Sequence, residues 1–228
     1  METKMPGTHR PAGILCASLD IAEGHQANFL EWHNREHLVE RLGVPGFVSG
    51  RRFVSPEASP RYFIAYEVAD LSVLASPEYL ERLDQPTPWT LKTVATFRNG
   101  FRSAYAVVRT AGWIEGGFVL AVRFKPRDPT TTLAGITDDR LDALLQCPGI
   151  TRLRVAIPDE QVSTTDTVEA RESGNVFAND LLLLVEGISA QALSTLLGDA
   201  LSGEQFFKGG LQERPWTGIY QLQARAGR

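Results

Sequence analysis

Two distant stretches of this chain follow one plan. "GILCASLDI" (Gly13–Ile21) and "GFVLAVRFK" (Gly117–Lys125) are short, apolar and β-branched, as buried strands are. A polar gap and a helical pattern follow each. The first helix is expected over Gln26–Leu42, with Phe29, Leu30, Leu38, Val39 and Leu42 at three- and four-residue spacings, and the second over Asp138–Gln146, with Leu141, Leu144 and Leu145. Both stop at Pro-Gly, because proline cannot continue a helix and glycine opens the turn. Each leads into a strand, Val44–Val54 and Cys147–Ile157. A fully apolar strand comes next (Tyr62–Val68, Asp180–Glu186), then a helix (Ser76–Leu83, Ala190–Leu201) and a last strand (Phe101–Arg109, Trp216–Ala224).

Each half therefore reads β-α-β-β-α-β, the split βαβ unit of ferredoxin-like folds. Helices cover one face of such a sheet and leave the other apolar and bare. Two halves can bury those faces against each other, which gives the duplication a physical reason. The expected class is α+β: two ferredoxin-like repeats, residues 13–109 and 117–226, joined by a connector over 110–116, forming a pseudo-dimeric barrel within one chain. Further association into a homodimer is compatible with this plan. The polar stretch Asp159–Asn175 reads as a mobile insertion in the second half.

The chain has 228 residues, a formal charge of −4 and a pI near 5.6, which supplies no basic patch for a phosphate backbone and argues against nucleic-acid partners. No apolar run approaches the roughly 18 residues of a membrane span. The opening "METKMPGTHRPAG" has neither the apolar core nor the cleavage site of a secretory signal. Cys16 and Cys147 are far apart and lack metal-ligand spacing. These features give the expectation of a cytoplasmic protein.

The first helix carries His33-Asn34-Arg35-Glu36-His37, an H-x-x-E-H pattern that also marks inverted zinc peptidases. Zinc needs a third protein ligand and an open position. His9, His25 and Glu115 are the remaining donors, and the plan brings none of them to the helix, so no metal is expected; a metal-dependent enzyme using His33 and His37 is kept as an alternative. Four residues apart, the two imidazoles share a helix face with Phe29. A histidine held between a helix and an apolar sheet is desolvated, which favours its neutral form and makes it a general base near neutral pH. Glu36 lies about 100° round the helix from His37 and is expected to pair with Arg35, Arg41 or a residue of the second half.

Trp32, Glu36-His37, Arg41 and Pro45-Gly46-Phe47, followed by "YFIAYEV", "SPEY" (Ser76–Tyr79), "PTPWT" (Pro86–Thr90) and the strand bearing Arg102 and Tyr105, resemble the EthD-like members of the dimeric α+β-barrel superfamily. The resemblance covers most of residues 13–109. The second half lacks the signature, with Arg140 near the position of His37. The resemblance implies a pocket between the helices and sheet of the first half, and chemistry there that ranges over cofactor-free oxygenation of aromatic compounds, cyclisation, isomerisation and dehydration. Distant branches hold haem on an axial histidine of the cofactor-binding half, and the second half here has none.

These observations assign His37 as general acid/base, with Trp32, His33, Tyr66, Trp89 and Arg102 as substrate-binding residues. On the third strand, Tyr62, Ile64 and Tyr66 alternate with Phe63, Ala65 and Glu67, and the pattern leaves open which set meets the helices. No P-loop, dinucleotide fingerprint or nucleophile elbow is present, so no cofactor is expected. The expected function is cofactor-independent acid/base chemistry on a small apolar oxygen-bearing compound, aromatic or polyketide-like: a lyase, isomerase or cyclase, or a cofactor-free monooxygenase. The rival is a non-catalytic ligand-binding or structural barrel. A cavity of roughly 300 Å³ or more beside His37 favours the enzyme; a filled pocket, or a His37 occupied by backbone partners, favours the rival.

Overall fold

The computed structural model describes residues 11–201 and 206–227; His9 lies outside them. In chain order come β1 (Gly13–Ile21), α1 (Gln26–Trp32), a π-helical segment (His33–His37), α2 (Leu38–Gly43), β2 (Phe47–Val54) and β3 (Tyr62–Val68). A 3₁₀ turn (Leu71–Ala75), α3 (Pro77–Asp84), α4 (Pro88–Val94) and β4 (Phe97–Gly112) complete the first half. The second half holds β5 (Phe118–Phe124), α5 (Pro129–Gly135), α6 (Asp138–Leu145), β6 (Ile150–Asp159), α7 (Glu160–Ser163), α8 (Val168–Ser173), β7 (Leu181–Gly187), α9 (Ala190–Asp199) and β8 (Trp216–Gly227).

All eight strands close one barrel in the order β1-β3-β2-β8-β5-β7-β6-β4, and every pairing is antiparallel. Within each half the fourth strand lies beside the first, the first beside the third and the third beside the second. The α+β class holds. The halves join where β2 meets β8 and β4 meets β6, so no strand edge is bare. No helix is long and apolar enough to cross a membrane among the described residues.

Period-2 alternation sorts every strand into two faces. Leu15 and Leu19 of β1 and Tyr62, Ile64 and Tyr66 of β3 face the helices, in one core with Phe29, Trp32 and Leu38. The interleaved Ile14, Cys16, Phe63 and Ala65 point into the barrel, packed with Phe53, Tyr105, Leu182, Leu184 and Tyr220. The helices of the second half cover a third core around Leu120, Leu153, Leu183 and Leu193. Cys16 sits wholly inside, and burial pushes its thiol up to about 12.

The barrel interior is not the purely apolar contact expected from the sequence. One end holds a buried ion network. Arg51 Nη2 meets Glu67 Oε1 at 3.0 Å and Arg51 Nη1 meets Glu186 Oε2 at 2.8 Å. Arg152 and Arg154 each reach both carboxylates, at 2.6–3.1 Å. Glu67 and Glu186 are the penultimate residues of β3 and β7; Arg51 and Arg154 are the fifth residues of β2 and β6. Burial opposes the charge on Glu186, but the three guanidiniums outweigh it and hold the carboxyl at about 2.

Several boundaries differ from the sequence reading. α4 was not expected, although Thr87 caps it by accepting the Thr90 N–H and Pro88 opens it. α5 begins in the same way on Asp128-Pro129. β4 starts at Phe97 and runs to Gly112, taking in part of the expected connector. The stretch Asp159–Asn175, expected to be mobile, instead holds α7 and α8 and buries Ser163, Thr167 and Ser173. It packs across the first half.

Candidate active site

The longest expected helix is continuous but irregular. α1 passes into the π segment His33–His37, where the Leu38 N–H donates to the His33 carbonyl five residues back, and then into α2. Single π turns inside α-helices recur at functional sites. Here the segment spans the two histidines. Gly50 of β2 lets the helix close in: a Cβ there would fall 2.5 Å from Leu38 and 2.8 Å from Tyr66.

Between this helix and the sheet lies a cavity lined on the sheet side by Leu15, Ala17, Leu19, Ile64, Tyr66 and Arg102, and on the helix side by Trp32, His33, His37 and Arg41. Tyr79 and Leu83 of α3, Phe97, and Thr165, Thr167, Glu169, Ala170, Ser173 and Asn175 of the insertion close the remainder. The cavity volume is about 60 Å³, which holds roughly four waters and falls short of the volume that favours the enzyme.

Both imidazoles are buried. His33 Nε2 shares a hydrogen bond of 3.2 Å with the Tyr66 hydroxyl, while its Nδ1 has no partner. Burial, then the charges of Arg52 and Arg41, brings His33 down to about 3. His37 is also held well below its ordinary value, first by burial and then by Arg41, His33 and Arg102. Its Nδ1 is buried without a hydrogen-bond partner. No backbone group occupies it among the described residues. The ring stands 4.3 Å from the Trp32 ring and 5.7 Å from that of His33, centroid to centroid.

A polar relay holds Trp32. Its indole N–H donates to Thr90 Oγ1 at 3.0 Å, and Thr90 and Thr87 both donate to Glu36, at 2.9 and 2.5 Å. Glu36 thus makes hydrogen bonds to α4 rather than the expected ion pair. Arg35 pairs with Glu31, and Arg41 pairs with Glu169.

Of the residues assigned from sequence, Trp32, His33, His37, Tyr66 and Arg102 come together around the cavity. Trp89 does not. It packs on the outer side of the same core, and its indole N–H donates to Asn28 Oδ1 at 3.0 Å, because α4 turns it toward α1. The sequence reading did not assign Arg41, Tyr79 or Glu169. Arg41 was legible, one helical turn beyond His37; Glu169 lay hidden in a polar stretch without periodicity.

Among the described residues no three or more His, Cys, Asp or Glu side chains gather as a metal cluster, so the His33/His37 pair finds no third ligand there.

No protein-family model and no curated protein sequence matches this chain. Solved structures do. An anthrone oxidase-like protein superposes with a TM-score of 0.63 at 12% identity, over 95% of this chain and 93% of that one. A proposed monooxygenase from Fusobacterium nucleatum gives 0.58 at 8% identity, over 95% of each chain. A mutant chlorite dismutase from Candidatus Nitrospira defluvii gives 0.55 at 9%, over 95% and 92%. The chain shares the α+β-barrel fold of these proteins.

Proposed function

We infer that this chain is an enzyme acting on a small, apolar, oxygen-bearing compound, aromatic or polyketide-like, with His37 as the proton acceptor and no cofactor in the chemical step. The observation that carries this reading is the buried, neutral His37 imidazole, which lines a cavity walled mainly by apolar side chains and whose Nδ1 lacks a hydrogen-bond partner. A core histidine that only fixed its helix would spend its nitrogens on hydrogen bonds, since an unpaired buried polar atom costs about 1–3 kcal/mol. Trp32 fixes the ring plane and Tyr66 engages His33, which leaves His37 as the basic group of the site.

Proton removal from a carbon flanked by aromatic rings or a carbonyl yields a stabilised carbanion. Isomerisation, cyclisation and elimination return the proton elsewhere or expel a leaving group. Oxygenation instead consumes dioxygen, which adds at that carbon; loss of water from the resulting hydroperoxide leaves a new carbonyl. The oxidase and monooxygenase names of the fold neighbours favour oxygenation among these. The cavity volume of about 60 Å³ is the mark of the non-catalytic rival, and the enzyme reading requires the insertion to move outward when a ligand enters. We also infer that residues 13–109 and 117–226 are two copies of one module joined over 110–116, supported by the shared strand order and the matched positions of Arg51 with Arg154 and Glu67 with Glu186.

The test is oxygen uptake and product analysis with anthrone and with hydroxylated aromatic ketones, comparing the protein with His37→Ala. Loss of about 10²–10⁴-fold in turnover is expected for removal of a general base. Undiminished turnover in the variant would remove His37 from the mechanism.

A further inference from the structure

The insertion in the second half forms a strap over the cavity of the first. Its ends are anchored to the backbone of β4. Ala104 N–H donates to Ser163 Oγ at 2.8 Å, Arg102 N–H donates to the Val176 carbonyl at 3.0 Å, and Val176 N–H donates to the Gly100 carbonyl at 3.1 Å. Its middle is held across the cavity by charge. Glu169 Oε2 meets Arg41 Nη2 at 2.5 Å, and the Asp84 carboxylate accepts the Val168 N–H at 3.2 Å.

Arg41 is 1% exposed and is only half satisfied. Its Nη1 is buried with no hydrogen-bond partner, and Glu40 Oε2 stands 3.8 Å from it. His37, one turn back on the same helix, lines the same cavity, and its buried Nδ1 also lacks a hydrogen-bond partner. A guanidinium has only donors, and neutral imidazole can accept a proton. The group that satisfies both brings an oxygen carrying negative charge and an acidic proton nearby. Arg102, the other guanidinium lining the cavity, is already committed: its Nη2 donates to the Tyr79 hydroxyl at 3.0 Å and its Nη1 to the Ser163 carbonyl at 3.2 Å.

We propose that Arg41 is the oxyanion-binding residue of this site and that Glu169 is its resting counter-ion, which the substrate displaces, so that the ligands are phenols, enols and ketones acidic enough to ionise. The inference rests on the reading of this cavity as the substrate site. Glu169 can leave because it sits on the strap rather than on the barrel, with its side chain 15% exposed. The strap and the anion site are then one device: an incoming oxyanion takes over the guanidinium and releases the middle of the strap.

The test uses 4-nitrophenol, whose yellow anion reports its own ionisation, titrated into the intact protein near the probe's ionisation midpoint. Binding is expected to shift the probe toward the anion. Glu169→Gln, which frees Arg41 at constant shape, should bind the anion roughly tenfold more tightly, the scale of one charge-assisted hydrogen bond. Arg41→Met combined with Glu169→Gln keeps the charges balanced and should bind the probe without the anionic shift. The proposal is overturned if Glu169→Gln fails to take up the anion, if it binds it no better than the parent, or if the shift survives loss of Arg41. His37→Ala separates the two readings: a preserved anionic shift with lost turnover supports both, whereas preserved turnover defeats the His37 reading and leaves Arg41 to be judged on the probe alone.

Discussion

The Trp32 ring lies against the His37 ring at 4.3 Å, tilted by 32°, and the Trp32 indole N–H is held by Thr90 on a helix 58 residues away. The orientation of the proposed base therefore depends on a threonine that never reaches the cavity. Thr90→Val removes the acceptor for the indole and one of the two hydroxyls on Glu36. A loss of about 1–3 kcal/mol in stability is expected, read by urea unfolding, with Thr90→Ser restoring most of it. No destabilisation would show that the relay does not hold Trp32.

The two buried histidines make stability fall in acid. His33 titrates at about 3 in the folded chain against an ordinary 6.5, and His37 is displaced in the same direction. The unfolded chain thus binds protons below about pH 6.5 that the folded chain refuses. The stability tied to the neutral rings is complete above that pH and is lost as pH falls toward the folded value. Each ring accounts for about 1.4 kcal/mol per pH unit within its window. Unfolding curves for His33→Gln between pH 6 and 4 should show a slope shallower by about that amount; an unchanged slope would mean that His33 is protonated in the fold.

The same displacement fixes the pH profile of the reaction. With His37 held well below 6.5, the base is already neutral throughout the range from pH 8 to 6. In the free enzyme kcat/KM should stay flat across it and decline only in more acidic buffer. An inflection between 6 and 7 in the parent that disappears in no histidine variant would assign the chemistry to another group.

The ion network should show the contrast between buried and marginal charge. Glu186→Gln leaves three guanidiniums around Glu67 alone, and a cost of about 3–5 kcal/mol is expected. Glu115→Gln touches the rim, where Glu115 meets Arg225 at 2.7 Å, and should cost less than about 1 kcal/mol. Chemical denaturation of both variants checks the difference, and equal effects would show that the network is solvated.

Much of this fold was legible. The bounds of β1 and β3 agree with the expected strands, and the Pro-Gly stops fall where the helices end, because those signals are local. Facing was not legible: Tyr66 and Glu67 are neighbours, and only the closed barrel decides that the first meets His33 and the second meets Arg51. The charges inside "YFIAYEV" and "DLLLLVE" were nonetheless a signal, since an acid in an otherwise apolar strand asks for a buried partner. The strap escaped because its order comes from tertiary anchors such as Ser163 on Ala104. Trp89 is not placed by its sequence because α4, which turns it toward Asn28, is set by the Thr87 cap and Pro88 rather than by apolar periodicity.

The π turn at His33–His37 has a consequence for how this chemistry can be gained or lost. A wide turn holds one more residue than the α-helix needs, so losing that residue lets the turn close to regular α geometry and leaves the facing of α2 in place. Arg41 would keep its side of the helix, while a loss between the two histidines would bring them from four residues apart to three. Two chains of near-identical composition could thus differ in reactivity through a single lost codon, and a substitution survey alone would pass over the position that matters.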